Sequence, residues 1–211
     1  EIDDPRVGAE AIRQWSTAHP EFSWLPRKFK IALTAAPKDR TAAKTHDIGL
    51  NLKRSRDGAL GFEVMVGGGL GRLPHIAPTI RDFLPAPRLI SYLEAILRTY
   101  NRQGRRDNIH KARIKILVAA LGREEFARQV EAEWERAGVG SDLPDTELAR
   151  IRGAFAAKAF EVLPARSEAL EQARAATPAF ARFARNNLKP HKIPGYGIVE
   201  VSLKAIGETP G

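Results

Sequence analysis

The front of the chain alternates polar and apolar positions in short runs that predict β-strands. Residues 28–34 form the first run, residues 48–52 the second and residues 62–66 the third. Period-two alternation over this length is typical of half-buried strands. Arg56-Asp57-Gly58 stands between the second and third runs and has the Asp-Gly chemistry of a β-turn. These runs predict a small, mainly antiparallel sheet near the front of the chain.

Helical spacing of apolar residues replaces this alternation further along the chain. The pattern predicts helices over residues 8–18, 88–102 and 124–136, another that begins near Ile109, and a helical stretch broken near Pro164. Two prolines, Pro20 and Pro26, bracket a segment that we expect to be an extended arm, and residues 197–203 alternate like one late strand. The fold class predicted is α+β, with the small sheet packed with helices.

The charge of the chain is concentrated in its first part. The sequence holds 34 Lys and Arg against 25 Asp and Glu, a formal charge of +9. Residues 1–116 contain 21 of the basic and 12 of the acidic side chains, and the remainder is neutral. A basic surface of this kind points to an anionic partner, which could be nucleic acid, a small anion or a cofactor with several carboxylates.

The composition excludes several classes of protein. Cys is absent, so disulfides, thiolate zinc sites and a locally ligated iron–sulfur cluster are excluded. No apolar run approaches the roughly 20 residues of a membrane span, and no signal peptide opens the chain, so we expect a cytoplasmic protein with no membrane partner. The chain starts on an acidic stretch without Met and stops after a strand-like run, which favours an excised fragment.

The first candidate site is Arg27-Lys28-Phe29-Lys30. In a strand, the side chains of Lys28 and Lys30 leave the same face, about 6–7 Å apart along the chain. Two ammonium groups held together repel each other, so the pattern favours a bound anion between them. The alternative is an ordinary solvated strand face.

A glycine run forms the second candidate. Gly67, Gly68 and Gly69 follow the third predicted strand, and Gly71 and Arg72 come directly after. Such a run lets the backbone approach a ligand closely or form an amide nest for an anion. It lacks the helix and downstream acid of a dinucleotide fingerprint and the Lys-Ser or Lys-Thr of a P-loop. A tight structural turn is the equally supported alternative.

A basic cluster is the third candidate, with only Asp107 as an interspersed acid. Its members are Arg98, Arg102, Arg105, Arg106, Lys111, Arg113 and Lys115. In a helix that begins near Ile109, Lys111 and Lys115 would lie one turn apart on one side. Such groups suit carboxylates or phosphates. A solvated surface and RNA binding are the alternatives, although no aromatic residues are interleaved for base stacking.

The remaining residue types give no protein-only catalytic centre. The five His residues show no paired spacing, so we predict no His-bound metal, and neither a Ser nucleophile elbow nor a Cys nucleophile is present. Any chemistry must therefore be carried by a cofactor.

Taken together, these segments resemble the sulfite and nitrite reductase hemoproteins, the sirohaem-containing assimilatory enzymes. The resemblance runs in order from about residue 5 to 135 and resumes near residues 189–207. Its matching stretches are Leu25-Pro26-Arg27-Lys28-Phe29-Lys30, His46-Asp47-Ile48-Gly49-Leu50, Val66-Gly67-Gly68-Gly69-Leu70-Gly71-Arg72, Arg106-Asp107-Asn108 and Lys111-Ala112-Arg113-Ile114-Lys115.

The resemblance implies a role for each candidate residue. Lys28 and Lys30 would bind the substrate anion over sirohaem and supply protons as S–O or N–O bonds break. The Gly67, Gly68 and Gly69 loop would pack against the macrocycle beside Arg72. The eight carboxylates of sirohaem would meet the side chains of Asn108, Lys111, Arg113 and Lys115. The family's reaction is the six-electron reduction of sulfite to sulfide or of nitrite to ammonia, with sirohaem coupled to a 4Fe–4S cluster.

The family needs four Cys for its cluster, and this sequence has none. By resemblance, the chain is the central domain of the reductase fold, without the N-terminal lobe and the cluster-ligating half. Its expected divisions are an N-terminal helix and arm (1–24), a sirohaem-facing α+β core (25–135), a helical segment (136–190) and the first strand of a ferredoxin-like lobe (191–211). We expect this fragment alone to be inactive and to bind no cofactor.

The implied partners are a sulfite or nitrite anion and an electron donor, either a ferredoxin or a flavoprotein reductase. A basic nucleic-acid-binding module is the alternative function. Steep salt dependence of nucleic-acid affinity would distinguish it from the reductase.

Overall fold

The structure is a computed structural model that describes residues 2–17, 19–138, 142–156, 159–204 and 207–208. The chain divides into two compact units, residues 1–156 and residues 157–211. Every candidate site residue lies in the first unit. Its regular elements are α1 (Pro5–Thr17), β1 (Ile31–Thr34), β2 (Ile48–Arg54), β3 (Leu60–Val66), β4 (Thr79–Pro85), α2 (Leu89–Gln103), α3 (Ile114–Leu121), α4 (Arg123–Ala137) and α5 (Asp145–Ala154).

A four-stranded sheet in the order β1-β2-β3-β4 forms the centre of the first unit. The β2–β3 and β3–β4 pairs are antiparallel, and β1 pairs with β2 in parallel. A parallel pair needs a long crossover, and residues 35–47 supply it. The mainly antiparallel sheet predicted from the sequence is confirmed, and the parallel edge pair is an addition to it.

The core lies between the two central strands and α2, and α4 packs against both α2 and strand β4. Leu50 and Val64 are completely buried from the sheet side, as are Leu93 and Ile96 from α2. Val130 brings the buried side of α4 to the same cluster. Helical spacing in the sequence predicted both helices, and their bounds agree with the prediction to within a residue or two. The α+β fold class is confirmed.

The first predicted strand is shorter than its alternation suggested. Strand β1 begins at Ile31, and Lys30 precedes it. The N–H of Lys30 donates to Asp47 Oδ2 at 2.9 Å, whereas its carbonyl accepts from the Ile48 N–H at 3.1 Å. A side-chain carboxylate thus takes the place of a neighbouring strand at Lys30, and regular pairing starts one residue later.

Strand β4 is an element that the sequence pattern did not predict. It reads Thr-Ile-Arg-Asp-Phe-Leu-Pro, and Leu84 is its one buried residue. It lies at the edge of the sheet and its register against β3 shifts at two places. An edge strand with a single buried position and a terminal Pro carries little alternation, so its signal in the sequence is weak.

Two other predictions in this unit are corrected by short 3-10 turns. The expected extended arm forms such a turn over Pro20–Trp24, where Pro20 supplies a favourable first position and the His19 ring accepts from the Glu21 N–H. The helix expected near Ile109 is divided into a turn over Ile109–Lys111 and α3. Because the division falls between them, Lys111 and Lys115 do not lie one turn apart on a single helix.

The remaining helices agree with the pattern in part. Helix α1 starts three residues before its predicted start, and Ala18, its predicted end, lies outside the described residues. Helix α5 ends at Ala154, so Phe160 is not part of the helical stretch predicted there.

The second unit contains two helices and a short hairpin. Helix α6 (Glu168–Ala176) has Ser167 as its N-cap, and α7 (Pro178–Asn187) starts on a proline. Strands β5 (Leu188–Pro190) and β6 (Gly197–Val199) pair in an antiparallel arrangement. The predicted late strand is therefore confined to its first three residues, and it has a partner strand that the alternation did not reveal. The four-part division of the chain proposed from the sequence stays a prediction.

No helix in the described ranges is both long and apolar enough to cross a membrane.

Candidate functional site

The candidate site is built at one end of the central sheet. Ile31 of β1, Ile48 of β2 and Val66 of β3 are neighbours in register. Strands β1 and β2 begin at this end, and β3 ends there, so Lys30, Asp47 and Gly67 occupy the next row. Adjacent strands lie about 4.8 Å apart, which separates the main chains of Lys30 and Gly67 by roughly 10 Å. The two lysines and the glycine run, which are separate in the sequence, thus lie close together at one end of the sheet.

Asp47 occupies the middle of this row and is fully buried. Its Oδ2 accepts from the Lys30 N–H at 2.9 Å, and its carbonyl accepts from the Gly67 N–H at 2.9 Å. The guanidinium of Arg113 adds a bidentate contact: Nη2 donates to both carboxylate oxygens at 2.7 Å, and Nε donates to Oδ1 at 2.9 Å. Charge-assisted bidentate contacts are among the strongest hydrogen bonds in proteins. One residue therefore joins all three candidate segments: its carboxylate contacts Lys30 and Arg113, and its main-chain carbonyl contacts Gly67.

The side chains of Lys28 and Lys30 extend into solvent, whereas Phe29 between them packs on the core. The ring of Phe29 meets that of Phe22 edge to face, with centroids 5.9 Å apart. Among the described residues, neither ammonium group has a carboxylate within ion-pair distance or a hydrogen-bond acceptor. The alternation in the sequence thus predicts the side-chain directions correctly, and the two cations are accessible to an anion.

Close packing explains the first two residues of the glycine run. Gly67 has φ +98°, and a Cβ there would lie 2.9 Å from the Cβ of Val118. A Cβ on Gly68 would lie 2.4 Å from the Lys44 carbonyl oxygen and 2.5 Å from that of His46. The Val118 side chain and the positive φ exclude a side chain at Gly67, and main-chain atoms exclude one at Gly68. The tight structural turn considered as the alternative is therefore real, and a ligand role for these glycines would be additional to it.

The third glycine carries the loop back over α3. Gly69 and His75 exchange two main-chain hydrogen bonds, at 3.0 and 2.9 Å, which close the loop between them. A Cβ on Gly69 would lie 3.0 Å from Cδ of Lys115. Lys115 is 8% exposed, and its ammonium donates to the carbonyl of Leu73. In the described structure Lys115 therefore supports the loop from below.

The cations expected to meet carboxylates thus fall into two groups. Arg113 and Lys115 are engaged by the protein itself, through Asp47 and through Leu73. Lys111 and Arg72 are exposed, and within the described ranges neither has an ion-pair partner. An anion at this edge would meet the exposed lysines and arginine first.

Asn108 has a structural contact of its own. Its Oδ1 accepts from the His110 N–H at 2.9 Å and thereby caps the turn over Ile109–Lys111. This turn leads directly into Arg113, the N-cap of α3. Asn108 thus lies close to Arg113 in the sequence, and its side-chain oxygen already accepts a hydrogen bond.

Tyr100 connects the segments beneath the site. Its hydroxyl lies 2.8 Å from the Ala112 carbonyl oxygen and 3.2 Å from that of Arg27, so its one proton is shared between the residues preceding Arg113 and Lys28. Burial raises the pKa of Tyr100 to about 12. The hydroxyl therefore stays protonated at neutral pH and remains a hydrogen-bond donor.

Asp47 and Tyr100 are the residues that sequence reasoning missed. Asp47 was noticed only within the stretch that carries the resemblance, and Tyr100 only as an apolar position of a helix. A lone Asp before a strand and a Tyr on a helix face are common. Only their hydrogen-bond partners distinguish them, and for Asp47 these partners lie 17 and 66 residues away in the sequence.

Two arginines of the basic cluster are also engaged. Arg105 forms an ion pair with Asp107, and Arg106 donates to Asn101 at 2.6 Å and to the Trp24 carbonyl at 3.0 Å. These are the side chains that a nucleic-acid interface would need.

Comparison with known proteins identifies the family. Residues 1–137, more than half of the chain, match the family described as the nitrite and sulphite reductase 4Fe-4S domain. The chain belongs to this family. The resemblance inferred from the sequence motifs is thereby confirmed, and the matched residues include every candidate site residue.

Similar proteins carry names that agree with the family. The chain is 32% identical over 134 residues to the sulfite reductase (NADPH) hemoprotein beta-component of Chromohalobacter salexigens, covering 61% of this chain and 23% of that protein. It is 36% identical over 121 residues to the ferredoxin sulfite reductase of Synechococcus elongatus, covering 54% of this chain and 19% of that protein. The chain therefore matches about a fifth to a quarter of the length of these reductases.

Among solved structures, the NirA protein of Mycobacterium tuberculosis is similar. The two share a TM-score of 0.59 and 26% identity over 64% of this chain and 24% of that one. This similarity supports the assignment of the central α+β fold to the reductase family.

The side chains present fit one of the family's cofactors and not the other. Exposed, unpartnered cations at the sheet edge suit a tetrapyrrole with several carboxylates. Cys is absent, and in the described part of the chain no group of three His, Asp or Glu could hold a metal. The 211 residues therefore contain no Cys thiolate that could ligate an iron–sulfur cluster.

Proposed function

We propose that this chain forms the anion-binding part of a sirohaem-dependent reductase that converts sulfite to sulfide or nitrite to ammonia. The observation that carries the proposal is the pair of exposed, unpartnered ammonium groups of Lys28 and Lys30 beside the glycine loop. Family membership and the names of the similar reductases support it.

The lysines perform electrostatic and proton-transfer work in this proposal. Sulfite and nitrite are small oxyanions, so two exposed ammonium groups near each other in the chain can bind and orient them. Each oxygen that leaves the substrate carries negative charge and needs two protons to depart as water. Ammonium groups stabilise that charge and can pass protons to it, and solvent replaces the protons. The exposure of both side chains allows this replacement.

Other residues of the chain hold the pocket. We propose that Lys111 and Arg72 bind peripheral carboxylates of the tetrapyrrole, with Asn108 beside them, and that Gly67, Gly68 and Gly69 form a thin wall against it. Arg113 and Lys115 contribute through the loops that they support. A six-electron reduction needs a redox group, and sirohaem coupled to a 4Fe–4S cluster would pass the electrons from an external donor to the substrate.

The source of electrons and the state of the isolated chain complete the proposal. We propose a ferredoxin or a flavoprotein reductase as the donor; the names of the relatives include both ferredoxin and NADPH sulfite reductases. Because the chain has no Cys to hold a cluster, the 211-residue chain alone should show no sulfite or nitrite turnover. Purified chain with strong sirohaem absorbance and turnover would contradict this.

The test exchanges each lysine in the complete reductase. Lys28→Met and Lys30→Met remove one cation each and keep most of the side-chain volume. We expect sirohaem content to be retained and turnover to fall by on the order of 10², as for the loss of one stabilising donor. Arg56→Met is the control, because Arg56 is an exposed cation in the β2–β3 turn, at the opposite end of the sheet.

Unchanged turnover in both lysine variants, with turnover in the control also unchanged, would remove these side chains from the substrate site. Changes at Lys111 should instead lower sirohaem retention first, which separates cofactor binding from anion binding.

A further inference from the structure

Asp47 is a buried carboxylate to which the proposed chemistry gives no direct role. It lies at 0% exposure, and yet it forms an ion pair with Arg113 and contacts three segments that are far apart in the sequence. A buried charge is costly unless it is paired and hydrogen bonded, so its presence here calls for a reason.

We propose that Asp47 is a positioning residue for the anion site, which holds Lys30, Gly67 and Arg113 in one fixed arrangement. For its consequence in anion binding, this inference rests on the proposed function. Asp47 touches neither the anion nor the cofactor. It acts by fixing the orientation of the Lys30 main chain, and thereby the direction in which the Lys30 side chain extends.

The geometry shows why a carboxylate is needed. The Lys30 N–H points at Oδ2, where a regular strand would offer a carbonyl oxygen, so the carboxylate sets the orientation of this peptide. The same oxygen also accepts from Arg113 Nη2 at 2.7 Å, while Oδ1 accepts from both Nε and Nη2. An amide side chain would offer one acceptor oxygen and no charge. It could accept from the Lys30 peptide and from one guanidinium N–H, but the second carboxylate oxygen, which accepts from both Nε and Nη2 of Arg113, and the opposite charge would be lost.

The main chain of Asp47 extends the same arrangement to the glycine loop. Its carbonyl accepts from the Gly67 N–H at 2.9 Å. A shift of Asp47 therefore moves both sides of the proposed pocket, the lysine side and the glycine side. Since a binding geometry misplaced by about 1 Å can lower catalysis strongly, the cost should exceed that of the lost contact alone.

The first measurement compares KM and kcat in the complete reductase. Asp47→Asn should raise KM for sulfite or nitrite at least about tenfold, as expected for losing a hydrogen bond to a charged group. Turnover per sirohaem-loaded enzyme should fall as well, but by less than the roughly 10² expected for Lys30→Met, because the ammonium group is displaced and not removed. The matched control is Asp107→Asn, which breaks the exposed ion pair with Arg105 and should leave KM unchanged.

A second variant separates positioning from folding. Asp47→Asn leaves the charge of Arg113 without its partner, which by itself destabilises the fold. The double variant Asp47→Asn/Arg113→Gln removes both charges and should recover much of the lost thermal stability. We expect KM to stay raised in the double variant. Recovery of KM together with stability would show an ordinary structural ion pair and overturn the proposal.

Amide hydrogen exchange on the 211-residue chain gives a readout that needs no cofactor. In Asp47→Asn, the amides of Lys30 and Gly67 should exchange at least about tenfold faster, while those of the central strands stay protected. If Lys28→Met and Lys30→Met leave turnover unchanged, the proposed function fails and this exchange experiment decides alone. Faster exchange at both amides then supports the positioning role, and unchanged exchange overturns it.

Discussion

Replacing Gly68 with alanine tests the close packing of the glycine loop on the 44–46 segment. The added Cβ would lie 2.4 Å from the Lys44 carbonyl oxygen, 2.5 Å from that of His46 and 3.0 Å from the His46 nitrogen. All three are main-chain atoms, so no side-chain rotation relieves the contact. An ordinary carbon–oxygen contact is about 3.4 Å, and the two loops must therefore separate by roughly 1 Å.

The expected cost follows from this overpacking. Forcing a methyl group into a filled site typically costs about 1–3 kcal/mol. Replacing Gly also reduces the entropy of the unfolded chain, which returns about 0.4–1 kcal/mol. We expect Gly68→Ala to lower the free energy of unfolding by about 2 kcal/mol.

Two further glycines provide a graded series. A Cβ on Gly69 would meet side-chain atoms, Cδ of Lys115 at 3.0 Å and Nη2 of Arg113 at 3.5 Å, and Gly69→Ala should cost less than about 1 kcal/mol. Gly153 lies in α5 with nothing within 4 Å of an added Cβ, so Gly153→Ala should be neutral or stabilising by up to about 1 kcal/mol.

Urea unfolding monitored by tryptophan fluorescence measures the series. The three tryptophans are Trp15, Trp24 and Trp134, so the signal reports the unit that contains the loop. An unchanged m-value would show that the shift in midpoint is a change in stability. A Gly68→Ala protein as stable as Gly153→Ala would refute the reasoning from backbone contacts.

Two predictions concern the pH dependence of stability. Burial raises the pKa of Tyr100 to about 12, so the unfolded chain loses this proton first and the stability contributed by Tyr100 is lost between about pH 10 and 12. Tyr100→Phe should therefore reduce the loss of stability over this range when the urea midpoint is measured against pH. An equally steep loss in the variant would contradict the assignment. Hydrogen bonding from Arg136 lowers the pKa of the buried Glu133, so the contribution of Glu133 to the free energy of unfolding is present above about pH 4.5 and is lost as the pH falls through the lower pKa of the folded state. The stability of Glu133→Gln should therefore depend less on acid pH than that of the wild type in the same titration. No difference below pH 4.5 would count against the ion pair.

Local patterns predicted much of the fold because burial alone decides them. Strand β3 and helices α2 and α4 bury apolar residues at regular spacing, and the period of these residues in the sequence reports the element type directly. The same reasoning placed Phe29 inside and its flanking lysines outside, although regular pairing begins only at Ile31. Edge strand β4 buries too little to leave a pattern.

The connections of the candidate site lay beyond local patterns. The sequence shows a charged Arg113 and an acidic Asp47, but it does not show that they pair. Their pairing depends on the parallel β1–β2 arrangement and on the division of the helix after Lys111, and both are set by tertiary structure. For this reason the sequence overestimated the number of cations free to meet a ligand.

The span of the Asp47 contacts has a consequence for how this protein matures. During synthesis Lys30 and Asp47 emerge before the arginine that completes the arrangement, which lies 66 residues beyond the aspartate. Closing such a distant contact costs chain entropy and awaits the intervening strands and helix. A cofactor or anion that met the nascent chain would find these charged residues not yet assembled into a site. The ability to bind either would arise only when this unit has folded.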